Sequence, residues 1–76
     1  MKLSEAKEKK VYIISSCENG WEGKSILYER GIIPGREIVV YRYFQGSGMV
    51  QTNSGRFAMS DEYLEKIIIK EKKLHS

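Results

Sequence analysis

The stretch LYERGIIPGREIVVYR, residues 27–42, holds a helix end, a tight turn and a strand in immediate succession. If Gly31 is the left-handed residue after the helix, Leu27 and Ile32 occupy the two positions that touch in a Schellman motif. The following Pro34-Gly35 blocks any continuation of the helix and suits the middle of a type II turn, because proline presets the first φ and glycine accepts a positive second one. The stretch therefore predicts a short helix that leads directly into a strand.

The strand that follows the turn, EIVVYRYF over residues 37–44, has the strongest strand pattern in the chain. Regular alternation predicts one face made of Ile38, Val40, Arg42 and Phe44. The opposite face would then carry Val39, Tyr41 and Tyr43. Since apolar groups occur on both faces, the strand is expected to be partly covered on each side. The aromatic residues expected in the core are Tyr12, Phe44 and Phe57.

Around this strand the chain reads as further short elements joined by tight turns. Strands are predicted at VYIISSC (11–17), MVQTN (49–53), RFAM (56–59) and Ile67–Ile69, and helical segments at 22–30 and 61–66. Turns are predicted at Gly46-Ser47-Gly48 and at Ser54-Gly55, and Ser60 is the expected N-cap of the second helical segment. Five short strands are best buried as a small curled barrel. The predicted fold is all-β: an SH3-like barrel with a helix inserted between its first two strands and a helical turn before its last.

Size and composition bound the class of protein. The chain has 76 residues and a net charge of +3, which indicates one mildly basic domain over residues 1–76. Its lysines gather near the two ends, so residues 1–8 and 71–76 are expected to be flexible. The single cysteine fits a reducing cytoplasm. No run of about 20 apolar residues exists, so membrane insertion is not expected.

The residues offer little support for catalysis, nucleotide binding or a metal centre. ENGWEGKS (18–25) ends like a phosphate-binding loop, but Glu18 stands where that loop needs its first glycine. His75 has no partner for acid–base work, and Cys17 has no neighbouring histidine or second cysteine. Met49 and Met59, on adjacent predicted strands, are explained by packing, with soft-metal binding as the remaining alternative. The chain is therefore interpreted as not an enzyme.

Two longer blocks, residues 27–42 and SGRFAMSDEYLEKIII (54–69), together resemble the FeoA family of bacterial ferrous iron uptake. The matching positions are Leu27, Gly31, Ile32, Pro34, Gly35, Gly46, Val50, Ala58, Met59, Leu64 and Ile67. The chain departs from the family pattern at Ile26, at Arg30 and in the turn Gly46-Ser47-Gly48. The resemblance covers nearly the whole chain.

This resemblance implies an SH3-like barrel that assists FeoB, the membrane ferrous iron transporter with a cytoplasmic GTPase domain. The protein would then be cytoplasmic and recruited to the inner face of the membrane by its partner. The same fold forms the last domain of iron-dependent repressors. This chain lacks the helix-turn-helix domain with which such repressors read DNA, so DNA binding is not expected. No cofactor is required on this interpretation, and weak binding of Fe²⁺ or another transition metal stays open.

Candidate partner contacts lie in the segment before and within the first helix. Trp21 sits in a glycine-flanked turn, where it either contacts a partner or fills the end of the barrel under the helix, and Tyr28 and Arg30 are helical neighbours of Leu27. Exposed Trp, Tyr and Arg dominate the energetics of protein interfaces. A small RNA-binding barrel is the less favoured alternative: the run YRYF (41–44) could stack bases, but regular alternation would divide it between two faces.

Overall fold

The structure, a computed structural model, describes residues 1–17 and 24–72 of the chain. Its strands are Val11–Cys17 (β1), Glu37–Phe44 (β2), Ser47–Thr52 (β3), Gly55–Ser60 (β4) and Ile67–Glu71 (β5). The α-helices are Lys24–Glu29 (α1) and Asp61–Lys66 (α2), and a single 3-10 turn spans Leu3–Glu5. Residues 22 and 23 of the expected first helix, like Trp21, lie outside the described residues.

The strands form an antiparallel sheet in the order β4-β3-β2-β1-β5. β2, β3 and β4 are a meander whose two turns contain Gly46 and Gly55, both with positive φ. β1 then pairs with both β2 and β5, which brings the last strand beside the first. The predicted all-β, SH3-like fold is confirmed, with α1 between β1 and β2 and α2 before β5.

An apolar core lies on one side of this sheet. It takes alternate residues from each strand, since successive side chains in a strand point to opposite faces. Among the described residues its members are Leu3, Ala6, Tyr12, Ile14, Leu27, Ile32, Ile38, Val40, Val50, Met59, Leu64, Ile67 and Ile69.

The N-terminal segment belongs to this core, so the expectation that residues 1–8 are a flexible end is wrong. Leu3 is 0% exposed and Ala6 is also buried. The hydroxyl of Tyr43 lies 2.8 Å from the carbonyl oxygen of Leu3 and 2.7 Å from that of Ala6. A Glu8 carboxylate oxygen accepts the Tyr43 backbone N–H at 3.1 Å. Burying Leu3 removes apolar area from water and stabilises the segment against the sheet, while the lysines around it keep their charged groups in water.

The expectation that residues 71–76 are flexible also needs correction for Glu71 and Lys72, the two of these residues that the structure describes. Glu71 is the last residue of β5 and lies opposite Tyr12 of β1. The ammonium of Lys72 pairs with the Glu37 carboxylate. Residues 73–76 lie outside the described part of the chain. The sheet therefore includes the start of the segment that was expected to be flexible.

β2 carries a β-bulge at Tyr41 that reverses its side-chain alternation. Pairing with β3 skips this residue, because the partners run Val40 with Val50 and then Arg42 with Met49. An extra residue in one strand shifts the face of every residue beyond it. The face predicted from regular alternation is therefore wrong for the second half of β2.

The bulge turns Phe44 and Arg42 to solvent and Tyr43 to the core side. Phe44 is 50% exposed, so its assignment to the core is wrong. Tyr12 is buried and Phe57 packs against the core as a half-buried side chain, in line with expectation. One inserted residue thus decides which aromatic rings the protein displays.

Helix α1 ends with the hydrogen bonds of a Schellman motif. The Ile32 N–H donates to the Leu27 carbonyl at 2.9 Å, and the Gly31 N–H donates to the Tyr28 carbonyl at 3.0 Å. Gly31 has a φ of 79°. Leu27 and Ile32 are both buried, as their positions in the motif lead one to expect.

The turn into β2 follows at once. The Arg36 N–H donates to the Ile33 carbonyl at 3.0 Å, which makes Pro34 and Gly35 the central residues. Gly35 has a φ of 92°, as a type II turn requires at its third position. At the other helix, Ser60 holds the N-cap position of α2, but its side chain makes no capping hydrogen bond, so the expected cap is absent.

Candidate functional site

The end of helix α1 presents two of the three expected partner contacts at the surface. Tyr28 is 43% exposed, and Arg30 is exposed as well. The Arg30 guanidinium lies 5.4 Å from the centroid of the Phe57 ring on β4, a distance at which a cation and an aromatic face attract. Trp21, the third, lies outside the described residues. The structure thus exposes Tyr28 in the last turn of α1 and Arg30 just after the helix, and it holds Arg30 against the sheet.

The turn between β3 and β4 anchors this surface. The Thr52 hydroxyl donates to the Arg30 carbonyl, and the same oxygen accepts the Ser54 N–H at 3.1 Å. Gly55 has a φ of 132°, which lets the turn enter β4. Of the predicted turn residues, Ser54 therefore holds the Thr52 hydroxyl that contacts the helix end, and Gly55 continues the chain into β4. Buried Thr52 was not singled out from the sequence, since a threonine in a strand carries no sign of such a bond.

The described residues hold no group of three or more His, Cys, Asp or Glu side chains placed to bind a metal ion. Met49 and Met59 face opposite sides of the sheet: Met59 is buried, whereas Met49 pairs with exposed Ala58 on the other face. The two thioethers therefore cannot share one metal ion. Cys17 is half-buried at the end of β1, and His75 lies outside the described residues.

A second surface, which sequence reasoning missed, lies on the outer side of β2 and β3. Its six residues line an open depression of about 270 Å³: Lys9, Tyr41, Arg42, Phe44, Met49 and Arg56. We call these residues the basic aromatic face. Regular alternation would divide YRYF between two faces of the strand, but the bulge at Tyr41 places Tyr41, Arg42 and Phe44 on one side. No glycine or proline marks that bulge in EIVVYRYF, so the sequence gives no signal for it.

Within this face the arginine of β4 is already engaged with its neighbours. The Arg56 guanidinium lies 4.2 Å from the centroid of the Tyr41 ring, and its Nε donates to Gln51 at 2.9 Å. A second depression of about 360 Å³ borders the first through Tyr41 and extends towards Arg36 and Glu37. Together the two depressions make a shallow surface across the strands, with Tyr41 at its centre.

The family model of the FeoA domain matches residues 1–71, which is almost the whole chain. The chain belongs to the FeoA domain family. Membership implies a role in ferrous iron transport, and the family is one of small accessory proteins rather than a known enzyme family.

Solved FeoA structures share the fold. A crystal structure of an iron uptake regulatory protein (FeoA) superposes with a TM-score of 0.80 at 21% identity, covering 92% of this FeoA chain and 93% of the other. The solution structure of the FeoA protein from Chlorobium tepidum gives a TM-score of 0.84 at 22% identity, covering 100% of this chain and 74% of the other. At these identities the likeness establishes the fold alone.

A larger protein contains the same fold as a part. ScaR, solved with bound Cd²⁺, matches with a TM-score of 0.80 at 20% identity; the match covers 95% of this chain but 35% of ScaR. No curated protein matches the sequence. Among the described helices of this FeoA chain, none is long and apolar enough to cross a membrane.

Proposed function

We propose that this protein is an accessory and regulatory subunit of ferrous iron uptake that acts by binding FeoB, the ferrous iron transporter. The match to the FeoA domain over residues 1–71 carries this proposal. The protein works in the cytoplasm and is held at the inner face of the membrane through its partner. The action is one of binding, and it needs no resident cofactor.

The contact surface proposed for FeoB is the segment of residues 20–30. Tyr28 and Arg30 are exposed there, on a helix end that two elements hold in place. The Schellman motif positions it from within the chain, and the Thr52 hydroxyl positions it from the sheet. A helix end that is held in this way loses little conformational entropy on binding. Trp21 precedes the helix and is proposed as the third contact.

The test is the affinity of the protein for full-length FeoB in lipid nanodiscs under anaerobic conditions. Substituting Trp21→Ala, Tyr28→Ala or Arg30→Ala should each weaken binding by about tenfold, or about 1.4 kcal/mol. Lys66→Ala, which removes an exposed cation from helix α2, is the matched control and should change affinity less than twofold. Nanodiscs present both the GTPase domain and the membrane part, so an absence of binding would refute the proposal.

Direct handling of iron is tested separately. Equilibrium dialysis against Fe²⁺ under anaerobic conditions should show no stoichiometric site at low micromolar concentration. Stoichiometric binding at that level would contradict the proposal of an adaptor without a cofactor. It would favour the alternative of a transition-metal-binding protein.

A further inference from the structure

The basic aromatic face is exposed although its composition is that of a binding surface. Phe44 is 50% exposed, and Tyr41 and Met49 are half-buried. Aromatic residues, Met and Arg are the types enriched at protein interfaces, where Lys and acidic residues are depleted. The fold does not need Phe44 in the core, because the bulge sends Tyr43 there instead. The exposure of these side chains is therefore better explained by binding to a partner than by the needs of the fold.

Charge narrows the choice of occupant. The depression is lined by the cations Lys9, Arg42 and Arg56, and none of its lining residues is acidic. Glu8 flanks it and keeps its negative charge, since its hydrogen bond comes from the neutral Tyr43 N–H, but the three lining cations outweigh this one carboxylate. In the adjoining depression, Glu37 is neutralised by Lys72. An occupant with carboxylates would find complementary charge here, and a basic one would be repelled.

We infer that the basic aromatic face binds an extended segment of a partner protein in which carboxylates flank an apolar or aromatic side chain. The apolar side chain packs between Phe44 and Met49. The carboxylates meet Arg42 and Arg56, whose planar guanidinium groups suit bidentate contacts. Tyr41 and Arg56 hold each other in place before binding, so little side-chain freedom is lost.

The same observations disfavour single-stranded nucleic acid. Sequence-tolerant binding of a strand needs free aromatic rings on which successive bases stack. The Arg56 guanidinium covers the Tyr41 ring, which leaves Phe44 as the one well-exposed ring of this face. A cationic surface with one available ring offers attraction for phosphates without a platform for bases.

This face is separate from the surface proposed for FeoB, and the inference does not rest on that proposal. Tyr28 and Arg30 line neither depression. Arg30 lies against Phe57, which packs on the core side of β4, whereas Arg56 points outward. A test that uses no transporter therefore leaves the two proposals independent.

The test is a selection of random displayed peptides on the whole protein. Peptides of about ten residues suffice, since they reach about 35 Å when extended, the long dimension of the molecule. Binders are kept only if they fail to bind a double variant, Arg42→Gln with Arg56→Gln. The matched control is Lys66→Gln with Lys70→Gln, which removes the same charge from exposed positions outside this face.

The selected peptides should carry at least two acidic residues around an aromatic or aliphatic one. Their affinity, measured by fluorescence anisotropy, should fall by about tenfold or more in Phe44→Ser, a variant that takes no part in the selection. It should change less than twofold in the lysine double variant. Thermal unfolding midpoints that move by no more than a few degrees would show that all five altered side chains are tolerated, as their exposure predicts.

Three results would overturn the inference. The first is the absence of enrichment over background, and the second is enrichment of neutral or basic peptides. The third is tighter binding of a uridine oligomer than of the best peptide, with the same dependence on Arg42 and Arg56. That last result would make the surface a nucleic-acid site.

Discussion

Gly31 shows how one residue can join a helix, a turn and a sheet. Its φ of 79° lies in the left-handed region, where side chains other than glycine's are strained. A Cβ atom there would lie 2.7 Å from the side-chain oxygens of Asn53 and Ser54 and 2.8 Å from that of Thr52. The helix end therefore sits directly on the turn between β3 and β4. Only the hydrogen atom of glycine leaves room for this contact.

Substituting Gly31→Ala should destabilise the protein by about 2–4 kcal/mol, the sum of left-handed strain and overpacking. Gly35→Ala is the matched control, because Gly35 has a φ of 92° but no atom within 4 Å of a Cβ placed there. It should cost about 1 kcal/mol, since strain is partly offset by the lower entropy of the unfolded chain. Chemical denaturation measures both, and equal losses would contradict the packing role of Gly31.

Tyr43 ties the N-terminal segment to the sheet through its hydroxyl. Burial raises the pKa of this group above its usual value of 10.0, and electrostatic repulsion from Tyr12 and Glu8 raises it further. A raised pKa in the folded state means that the unfolded chain loses this proton first as the pH rises. The stabilisation is therefore complete below pH 10.0 and is lost as the pH passes through the folded pKa.

Substituting Tyr43→Phe should lower the free energy of unfolding by about 1 kcal/mol at neutral pH, through loss of the hydrogen bond to the main chain. The difference in the free energy of unfolding between the wild-type protein and Tyr43→Phe should shrink above pH 10.0. Only the wild-type protein has the half-buried Tyr43 phenol, whose ionisation is opposed in the folded state. Urea denaturation at neutral and at alkaline pH checks this. The other tyrosines are common to both proteins and cancel. A difference that stays constant into the alkaline range would refute the role given to the hydroxyl.

At the scale of elements, the sequence predicts the strands and the helix end well. EIVVYRYF and DEYLEK have the bounds expected for β2 and α2. These succeed because the signals are local: turn residues, φ preferences and apolar periodicity. The failures concern long-range choices. The neighbouring sequence does not indicate that Leu3 is buried or that Tyr41 is the bulged residue. Both features depend on how the strands pair and on which part of the core the assembled sheet leaves uncovered.

The same limit applies to the candidate site. Tyr28 and Arg30 were expected at a helix end, and the structure places them there, exposed. The contacts that hold the surface come from residues more than 20 positions away, such as Thr52 on Arg30. The basic aromatic face was missed for a related reason, because its existence depends on the pairing of β2 with β3. The pairing register depends on both strands together, so it cannot be predicted from the sequence of either strand alone.

The roles of the N-terminal segment and of Phe44 predict opposite effects of two similar truncations. Leu3→Ala should lower the free energy of unfolding by about 2–5 kcal/mol, because Leu3 is 0% exposed and its loss leaves a cavity. Phe44→Ala, although it removes more atoms, should cost about 1 kcal/mol or less, since half of the ring is already in water. Thermal and urea denaturation of both variants checks this. A larger loss for Phe44→Ala would mean that the alternation expected from the sequence is right and the bulge is not.

At the scale of the whole molecule, the two ends of the described chain lie together on the sheet. Lys2 bridges to Ile68, and the Ile69 N–H donates to the Met1 carbonyl at 2.7 Å. Buried residues from both ends, Leu3 and Ile69, thus close the same core. Charged side chains stay outside it. The three ion pairs found among the described residues, Lys2–Glu65, Lys10–Glu71 and Lys72–Glu37, are all at the surface.

This division between an apolar core and a charged surface predicts that salt affects stability and binding differently. Exposed ion pairs contribute about 0–1 kcal/mol each, and screening also relieves the repulsion within a chain of net charge +3. When the Debye length falls from about 30 Å to about 4 Å, the free energy of unfolding should therefore change by less than about 1 kcal/mol. Binding of an acidic peptide to the basic aromatic face should weaken over the same range. The charges of the peptide and of this face are exposed to solvent before binding, so salt screens their attraction. Urea denaturation and fluorescence anisotropy in matched buffers measure the two. A loss of stability as steep as the loss of binding would mean that the surface ion pairs, rather than the core, hold this fold together.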